Sequence, residues 1–202
     1  MRTVVPVADD ITGTHELGPG AGRLLVKTGR EGLAARAGHD LTLEITRWSA
    51  RVTVPAGGDL AAATVTAELD LGSLTVRTGS GGAKPLSDKD RRDIQAQARK
   101  ILGDPARAAF TSTSVIPAPG PAPNGAIEGT LTLHGTTRPL RLQLTGSANA
   151  QFSGAQFSGA ATIRQTDFGI TPYSGFFGTL KLKDEITVEF KINIRPIPNE
   201  SV

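Results

Sequence analysis

The chain of 202 residues contains no cysteine and only three histidines. The lack of cysteine excludes disulfide bonds, thiolate nucleophiles and cysteine metal ligands. A site of three histidines would need all of them to converge, and no i, i+4 spacing supports that arrangement. We therefore expect neither a metal centre nor a bound cofactor.

Aromatic side chains are also scarce, with seven phenylalanines, one tyrosine and one tryptophan. A core or a cavity must then be built mainly from leucine, isoleucine, valine and alanine. The 22 basic and 19 acidic residues are scattered, and the densest stretch, residues 88–100, interleaves the two signs as the exposed face of a helix does. Without a basic patch or stacking aromatics, a nucleic-acid partner is not expected.

Long hydrophobic runs are missing as well. The N-terminal segment, residues 1–12, carries Pro6 and two acids where a secretory signal needs an apolar core. No run approaches the length of a membrane-spanning segment. The sequence predicts a cytoplasmic protein without stable membrane insertion, with a single domain over residues 13–195 and a short tail at 196–202.

The sequence contains a series of predicted strands. Apolar and polar residues alternate with period two, so that each strand has one buried face and one solvent-exposed face. The parity of the apolar residues changes between Ile45 and Trp48, which predicts a bend or bulge near Arg47. The tandem repeat AQFSG has a period of five, which puts Phe152 and Phe157 on opposite faces of a continuous strand unless a bulge intervenes.

One segment departs from the strand pattern. Ser87 is a suitable N-cap, the apolar residues between 94 and 102 recur at helical spacing, and Gly103 ends the pattern. This predicts a helix of about four turns inside the strand series. The fold class is all-β with one inserted helix, and about eight antiparallel strands can either close into a barrel or form a sandwich.

Catalytic motifs are absent from the sequence. There is no G-x-S-x-G elbow, and the glycine-rich stretch ending at Lys84 lacks the ending of a phosphate-binding loop. His39 and Asp40 stand where a turn enters a strand, and a neighbouring carboxylate can orient an imidazole ring. This pair is either a polar anchor at the mouth of a pocket or an ordinary turn histidine with its neighbour, and we expect no catalytic residues.

Several short segments stand in a recognisable order. Residues 128–140, EGTLTLHGTTRPL, fit the pattern G-x-L-T-x-x-G-x-T-x-P. Residues 69–76 and 110–113 precede this segment, residues 164–170 follow it, and His39 lies in an earlier predicted strand. Together these segments resemble the YceI-like, polyisoprenoid-binding family over residues 13–195. The resemblance implies an antiparallel eight-stranded lipocalin-like β-barrel with a helix inserted between strands.

The resemblance also implies a function, that of a carrier. Family members hold a polyisoprenoid or fatty-acid-like amphiphile in the barrel, often as homodimers, and an isoprenoid quinone would fit equally. Each methylene group removed from water is worth about 0.8 kcal/mol, so aliphatic walls can hold a lipid tail while a few polar groups fix its head. The expected partner is thus a hydrophobic small molecule.

The chain departs from the family at residues 84–91, KPLSDKDR, where members have R-D-x-H-L.

Two alternatives to a carrier stay open, namely an enzyme that uses His39 and Asp40 as an acid–base pair on an apolar substrate, and a ligand-free structural or stress-related protein.

The expected site has two parts, an apolar lining and a polar mouth. Inward parity does not distinguish a cavity lining from a filled core. The predicted apolar lining is Val65, Leu69, Leu131, Leu133, Ile186, Val188 and Phe190, and the predicted polar mouth is His39, Asp40, Arg164, Asp167 and Tyr173.

Overall fold

The computed structural model describes residues 11–120, 122–148 and 154–197. Within these ranges the strands form one antiparallel sheet, and one α-helix is inserted after the sixth strand. The elements are β1 (Gly13–Leu17), β2 (Gly22–Glu31), β3 (Asp40–Ile45), β4 (Trp48–Val54), β5 (Thr64–Asp70), β6 (Leu74–Ser80), α1 (Asp88–Leu102), β7 (Arg107–Pro117), β8 (Gly125–Leu133), β9 (Thr136–Ala148), β10 (Ala155–Arg164), β11 (Ser174–Gly175) and β12 (Leu180–Ile194).

The strand pairing follows the chain order and returns to its start. Three long strands are each interrupted by a bend and so consist of two elements: β1 with β2, β3 with β4, and β5 with β6. The two halves of each long strand pair with the two halves of the same neighbouring long strand. Counted in this way, and leaving aside the two-residue β11, which pairs with β12 beside the main strand order, the barrel has eight strands. β12 pairs with both β10 and β2, which joins the last strand to the first. The predicted eight-stranded lipocalin-like barrel is confirmed, and a sandwich is not formed.

Ser73 holds the bend that the sequence predicts near Arg47. The backbone N–H groups of Thr46 and Arg47 donate to Ser73 Oγ at 3.1 and 2.9 Å, and the hydroxyl donates to the carbonyl oxygen of Asp70 at 2.6 Å. Ser73 is buried, so these bonds satisfy amide groups that leave the strand ladder at the bend. The bend lets β3 and β4 keep their apolar faces inside the barrel despite their opposite parity.

Helix α1 begins at the predicted cap. Ser87 Oγ accepts from the backbone N–H of Asp90 at 3.2 Å, and the Asp90 carboxylate accepts from the backbone N–H of Ser87 at 2.9 Å. Because β6 ends the strand order, its outer carbonyl groups are free to accept from the helix. Three side chains spaced four residues apart along the helix, Arg91, Gln95 and Arg99, donate to the carbonyl oxygens of Val76, Leu74 and Gly72 respectively.

Candidate ligand-binding cavity

A cavity of about 1010 Å³ runs through the barrel. Its wall consists of inward-facing side chains of the strands and one face of α1, most of them aliphatic. The volume lies at the upper end of the usual range for small-molecule pockets. All seven residues of the predicted apolar lining border the cavity, and their part in ligand binding stays a prediction: Val65, Leu69, Leu131, Leu133, Ile186, Val188 and Phe190.

Several inward-facing side chains are only half-buried. Val65, Ile186 and Phe190 point into the barrel and still keep accessible surface. A close-packed core would leave no such surface, so this surface belongs to the wall of the cavity. The sequence pattern left a filled core open as an alternative, and the structure instead has a hollow barrel.

Buried apolar side chains close one end of the cavity, which we call the floor. Ile11 is 1% exposed and Val54 is 2% exposed. The Nε2 atom of the buried His15 lies 2.8 Å from the carbonyl oxygen of Ile11, which ties the chain down over the floor. Phe157 of the tandem repeat is buried in the same cluster, whereas Phe152 lies outside the described residues.

The lining becomes polar at the opposite end, which we call the mouth. The change is visible along β2, whose inward row runs from Leu24 through Thr28 to Arg30. The Arg30 guanidinium donates to the carbonyl oxygen of Gly38, and its Nε lies 3.8 Å from Asp40 Oδ1. Sequence reasoning missed Arg30, although the alternation of β2 extended through its last residues would have placed it inside.

Two of the five predicted mouth residues, His39 and Tyr173, border the cavity. The Nε2 atom of His39 lies 2.8 Å from the carbonyl oxygen of Lys84, so this nitrogen carries the hydrogen and donates it. Asp40 does not border the cavity, and its part in the polar mouth stays a prediction; its Oδ1 accepts from the backbone N–H of Arg30 at 2.9 Å. Because neighbouring residues of an extended chain point to opposite sides, His39 and Asp40 have different partners.

Arg164 and Asp167 do not border the cavity either, and their part in the polar mouth stays a prediction. Arg164 has the outward parity of β10, and its Nε lies 3.3 Å from Asp184 Oδ2. Asp184 accepts from the hydroxyl and the backbone N–H of Thr166 at 2.6 and 2.8 Å; these bonds, with Arg164, lower the pKa of its carboxyl below the ordinary value. Asp167 is exposed, and its backbone carbonyl accepts from Arg138 at 3.1 Å. These contacts hold the turn after β10 in place.

Helix α1 covers the cavity beside the mouth. Ile94, Ala98 and Ile101 border the cavity from the helix, together with Asp93 and Gln97. No residue of the helix is fully buried, but Ile94, Ile101 and Leu102 are partly buried and pack against the hydrophobic cluster of the barrel. The hydrogen bonds of the helix to the edge at β6 add to these apolar contacts.

No metal-binding cluster of histidine, aspartate and glutamate side chains occurs among residues 11–120, 122–148 and 154–197. In the same ranges, no helix has the length and apolar character needed to cross a bilayer. The candidate site is described by its aliphatic wall and by the polar groups of its mouth.

A closed antiparallel barrel with an aliphatic interior and a polar mouth defines a lipocalin-like protein. The family profile of the YceI-like domain matches residues 28–194, so the chain belongs to the YceI-like family, as the sequence resemblance predicted. At the level of the family, this is a barrel that binds hydrophobic ligands.

Solved structures of low sequence identity share the fold. BcnA of Burkholderia cenocepacia is 18% identical, with a TM-score of 0.57 over 84% of this chain and 95% of that chain. A YceI protein of Campylobacter jejuni, crystallised with large solvent channels for nanotechnology applications, is 14% identical, with a TM-score of 0.50 over 77% of this chain and 85% of that chain. At these identities the likeness bears on the fold alone. No curated protein matches the chain.

Proposed function

We propose that this protein binds a hydrophobic or amphiphilic small molecule with a long aliphatic part and carries it without changing it chemically. The candidate classes are a polyisoprenoid, an isoprenoid quinone and a fatty-acid-like molecule. The observation that carries the proposal is the cavity of about 1010 Å³ with its largely aliphatic wall. Membership of a family of hydrophobic-ligand-binding barrels supports it.

The wall suits a flexible chain more than a flat ring, because few aromatic side chains border the cavity. Aliphatic walls make no directed contacts, so affinity should grow with the apolar area that the ligand removes from water. At about 0.8 kcal/mol per methylene group, each added group should lower Kd roughly fourfold. This dependence on chain length distinguishes a lipid carrier from a site that selects a single shape.

The mouth suits a polar head group of low charge. Arg30 and Lys84 border the cavity together with Asp90 and Asp93, so the charges there balance. Thr28 Oγ1 is buried next to this region with no hydrogen-bond partner in the described part of the chain. A buried hydroxyl gains by acquiring a partner, and a hydroxyl, carbonyl or amide head group could supply one after a small side-chain rotation.

The same region argues against acid–base catalysis by His39 and Asp40. The ring of His39 is tied to Lys84, and the carboxylate of Asp40 is engaged by Arg30. A general base must lie within hydrogen-bond reach of the proton that it abstracts, and Asp40 does not border the cavity. We therefore infer a binding role for this mouth.

The proposal is tested by displacing a fluorescent fatty probe with straight-chain alcohols of increasing length. Kd should fall roughly fourfold per methylene group until the chain fills the cavity, and then level off. Val65→Asp puts a carboxylate into the wall and should abolish binding. Thr66→Asp, the next residue of β5 with its side chain exposed outside, is the matched control and should bind normally.

The proposal fails if Kd is independent of chain length, or if a folded Val65→Asp protein binds as tightly as the unchanged protein. Circular dichroism of both variants establishes that they are folded. Where Val65→Asp does not fold, Val65→Thr, which is close in shape and adds one hydroxyl, should still weaken the longest alcohols measurably.

We also propose that residues 13–195 form one domain. The barrel closes only when β12 pairs with β2, so the two ends of this range depend on each other. Limited proteolysis should leave one resistant fragment of about this span, and stable smaller fragments would contradict the proposal.

A further inference from the structure

Two neighbouring loops project at the mouth of the barrel, and we call them the rim loops: residues 32–39 between β2 and β3, and residues 174–179 before β12. The backbone N–H of Ala34 donates to the carbonyl oxygen of Thr179 at 2.9 Å, which joins the loops. Gly38 and Leu180, at their bases, border the cavity. The rim loops therefore flank the route by which a ligand would pass.

Each rim loop carries a large apolar side chain in full contact with water. Leu33 is 96% exposed and Phe177 is 108% exposed, whereas the other exposed large apolar side chains of the described residues, Ile116 and Ile197, reach 41% and 47%. Phe177 has a φ of 56°, in the left-handed region that bulky residues rarely adopt. Exposure of a large apolar side chain to water is unfavourable, and a left-handed backbone at a bulky residue is sterically strained; Phe177, beside the mouth, has both features.

Among the described side chains around these tips that lack an ion-pair partner, basic groups outnumber acidic ones. Arg36 lies in the first rim loop, Lys181 and Lys183 lie at the start of β12, and the acids nearby are Glu31 and the exposed Glu185. No carboxylate of the described residues lies within ion-pair distance of Arg36, Lys181 or Lys183. Two further carboxylates are already engaged, Asp40 by Arg30 and Asp184 by Arg164 and Thr166. The apolar tips thus have an excess of basic side chains around them.

We propose that the rim loops dock reversibly onto an anionic lipid bilayer, with Leu33 and Phe177 buried among the acyl chains and the basic side chains at the head groups. A bilayer offers an apolar interior behind a negative surface, which matches both features. The docking itself is independent of what the cavity holds. Its purpose, passing a lipid between membrane and barrel, rests on the proposed function.

A bilayer fits better than a second copy of the chain. In a two-fold symmetric contact, the basic side chains of the two copies would face each other and repel. Two side chains on narrow loops also bury far less than the roughly 1,200 Å² of a stable interface. The contact with a bilayer is peripheral, so it agrees with the expectation of no stable insertion.

Docking is tested by co-sedimentation of the full chain with vesicles of phosphatidylcholine, with and without phosphatidylglycerol. The unchanged protein should bind only the anionic vesicles, and added salt should weaken the binding. Leu33→Ser should weaken binding about tenfold or more, and Lys181→Gln about fivefold. Phe177→Gly should weaken it as Leu33→Ser does while relieving the left-handed backbone, so unfolding cannot explain its loss.

Matched controls come from elsewhere on the molecule. Ile197→Ser removes an exposed apolar side chain at the floor end, and Arg92→Gln removes an exposed basic side chain of α1. Both should bind vesicles as the unchanged protein does. Equal losses in the rim variants and the controls would show a non-specific effect and overturn the proposal.

Two further results would overturn docking without touching the proposed function. One is a lack of vesicle binding by a protein that still binds alcohols with the expected dependence on chain length. The other is a concentration-dependent dimer that Leu33→Ser or Phe177→Gly abolishes, which would make the rim loops a contact between copies. Conversely, rim-dependent vesicle binding without alcohol binding would support docking and contradict the carrier function.

Discussion

Ala67 offers a direct test of the cavity because a larger side chain there should shorten the longest ligand that fits. Ala67 lies on β5 between two lining residues, and its methyl group borders the cavity. Ala67→Phe adds a phenyl ring to the interior without introducing charge. Ala109→Phe is the matched control, since Ala109 lies on the neighbouring strand β7 with its side chain exposed outside.

The expected size of the effect follows from the wall chemistry. A phenyl ring should displace about four to six methylene groups of a ligand that fills the cavity, at about 0.8 kcal/mol each. The loss of roughly 3–5 kcal/mol would raise Kd for the longest alcohols by about 200- to 5,000-fold. Short alcohols should bind nearly as before, because they leave room for the ring. Filling the cavity should also stabilise the protein without ligand by about 0.5–2 kcal/mol.

The assay is probe displacement over the alcohol series, combined with chemical denaturation of the protein without ligand. The optimum chain length should shift downward in Ala67→Phe and stay unchanged in Ala109→Phe. An equal loss for short and long alcohols would refute the reasoning, as would an unchanged optimum in a folded Ala67→Phe protein.

Three other predictions concern the parts of the fold that hold the cavity in place. Ser73→Ala removes the hydroxyl that accepts from two partly buried backbone amides at the bend, so the free energy of unfolding in urea should fall by about 1–2 kcal/mol. Arg91→Ala removes two hydrogen bonds from α1 to carbonyl oxygens of β6, so a bound fluorescent probe should leave severalfold faster in stopped flow, whereas the exposed Arg92→Ala should not change the rate. The carboxyl of Asp184 has a lowered pKa because Thr166 and Arg164 stabilise its charged form. The charged carboxylate therefore stabilises the fold above pH about 4, and this contribution is lost as the pH falls further. In Asp184→Asn, Tm should fall less steeply as the pH is lowered through this range.

Each of these predictions can fail clearly. A Ser73→Ala protein as stable as the unchanged one would mean that the bend is held by other contacts. Equal release rates for Arg91→Ala and Arg92→Ala would mean that the helix does not limit release. An Asp184→Asn curve parallel to that of the unchanged protein would show that its carboxylate makes no difference to folding.

Strand periodicity predicted the barrel and its inward faces well, because alternation is a direct consequence of the pleated backbone. Val65 and Val188 border the cavity for this reason, and the parity change at Arg47 corresponds to a real bend. Periodicity could not show that the barrel is hollow. An inward-facing residue follows the same alternation whether it packs against another side chain or lines a cavity. Only the distance between opposite strands of the barrel decides between a filled core and a cavity.

The mouth was harder to predict, because it depends on loops and on side-chain partners that lie far apart in sequence. Arg164 has the chemistry of a head-group ligand, but its parity points it outward to Asp184. Arg30 has the inward parity of β2, but its contacts with Gly38 and Asp40 across a loop cannot be derived from that strand alone. The cap of α1 was predicted from Ser87, but the place of the helix on the edge of β6 required the whole sheet.

The central claim is that the barrel carries an amphiphile with a long aliphatic chain, and gently purified protein tests it most directly. Native mass spectrometry of that protein, followed by organic extraction and mass spectrometry of the extract, should show a single class of long-chain amphiphile bound near one molecule per chain. Protein free of bound amphiphile that also fails to take up any member of the alcohol series would contradict the claim.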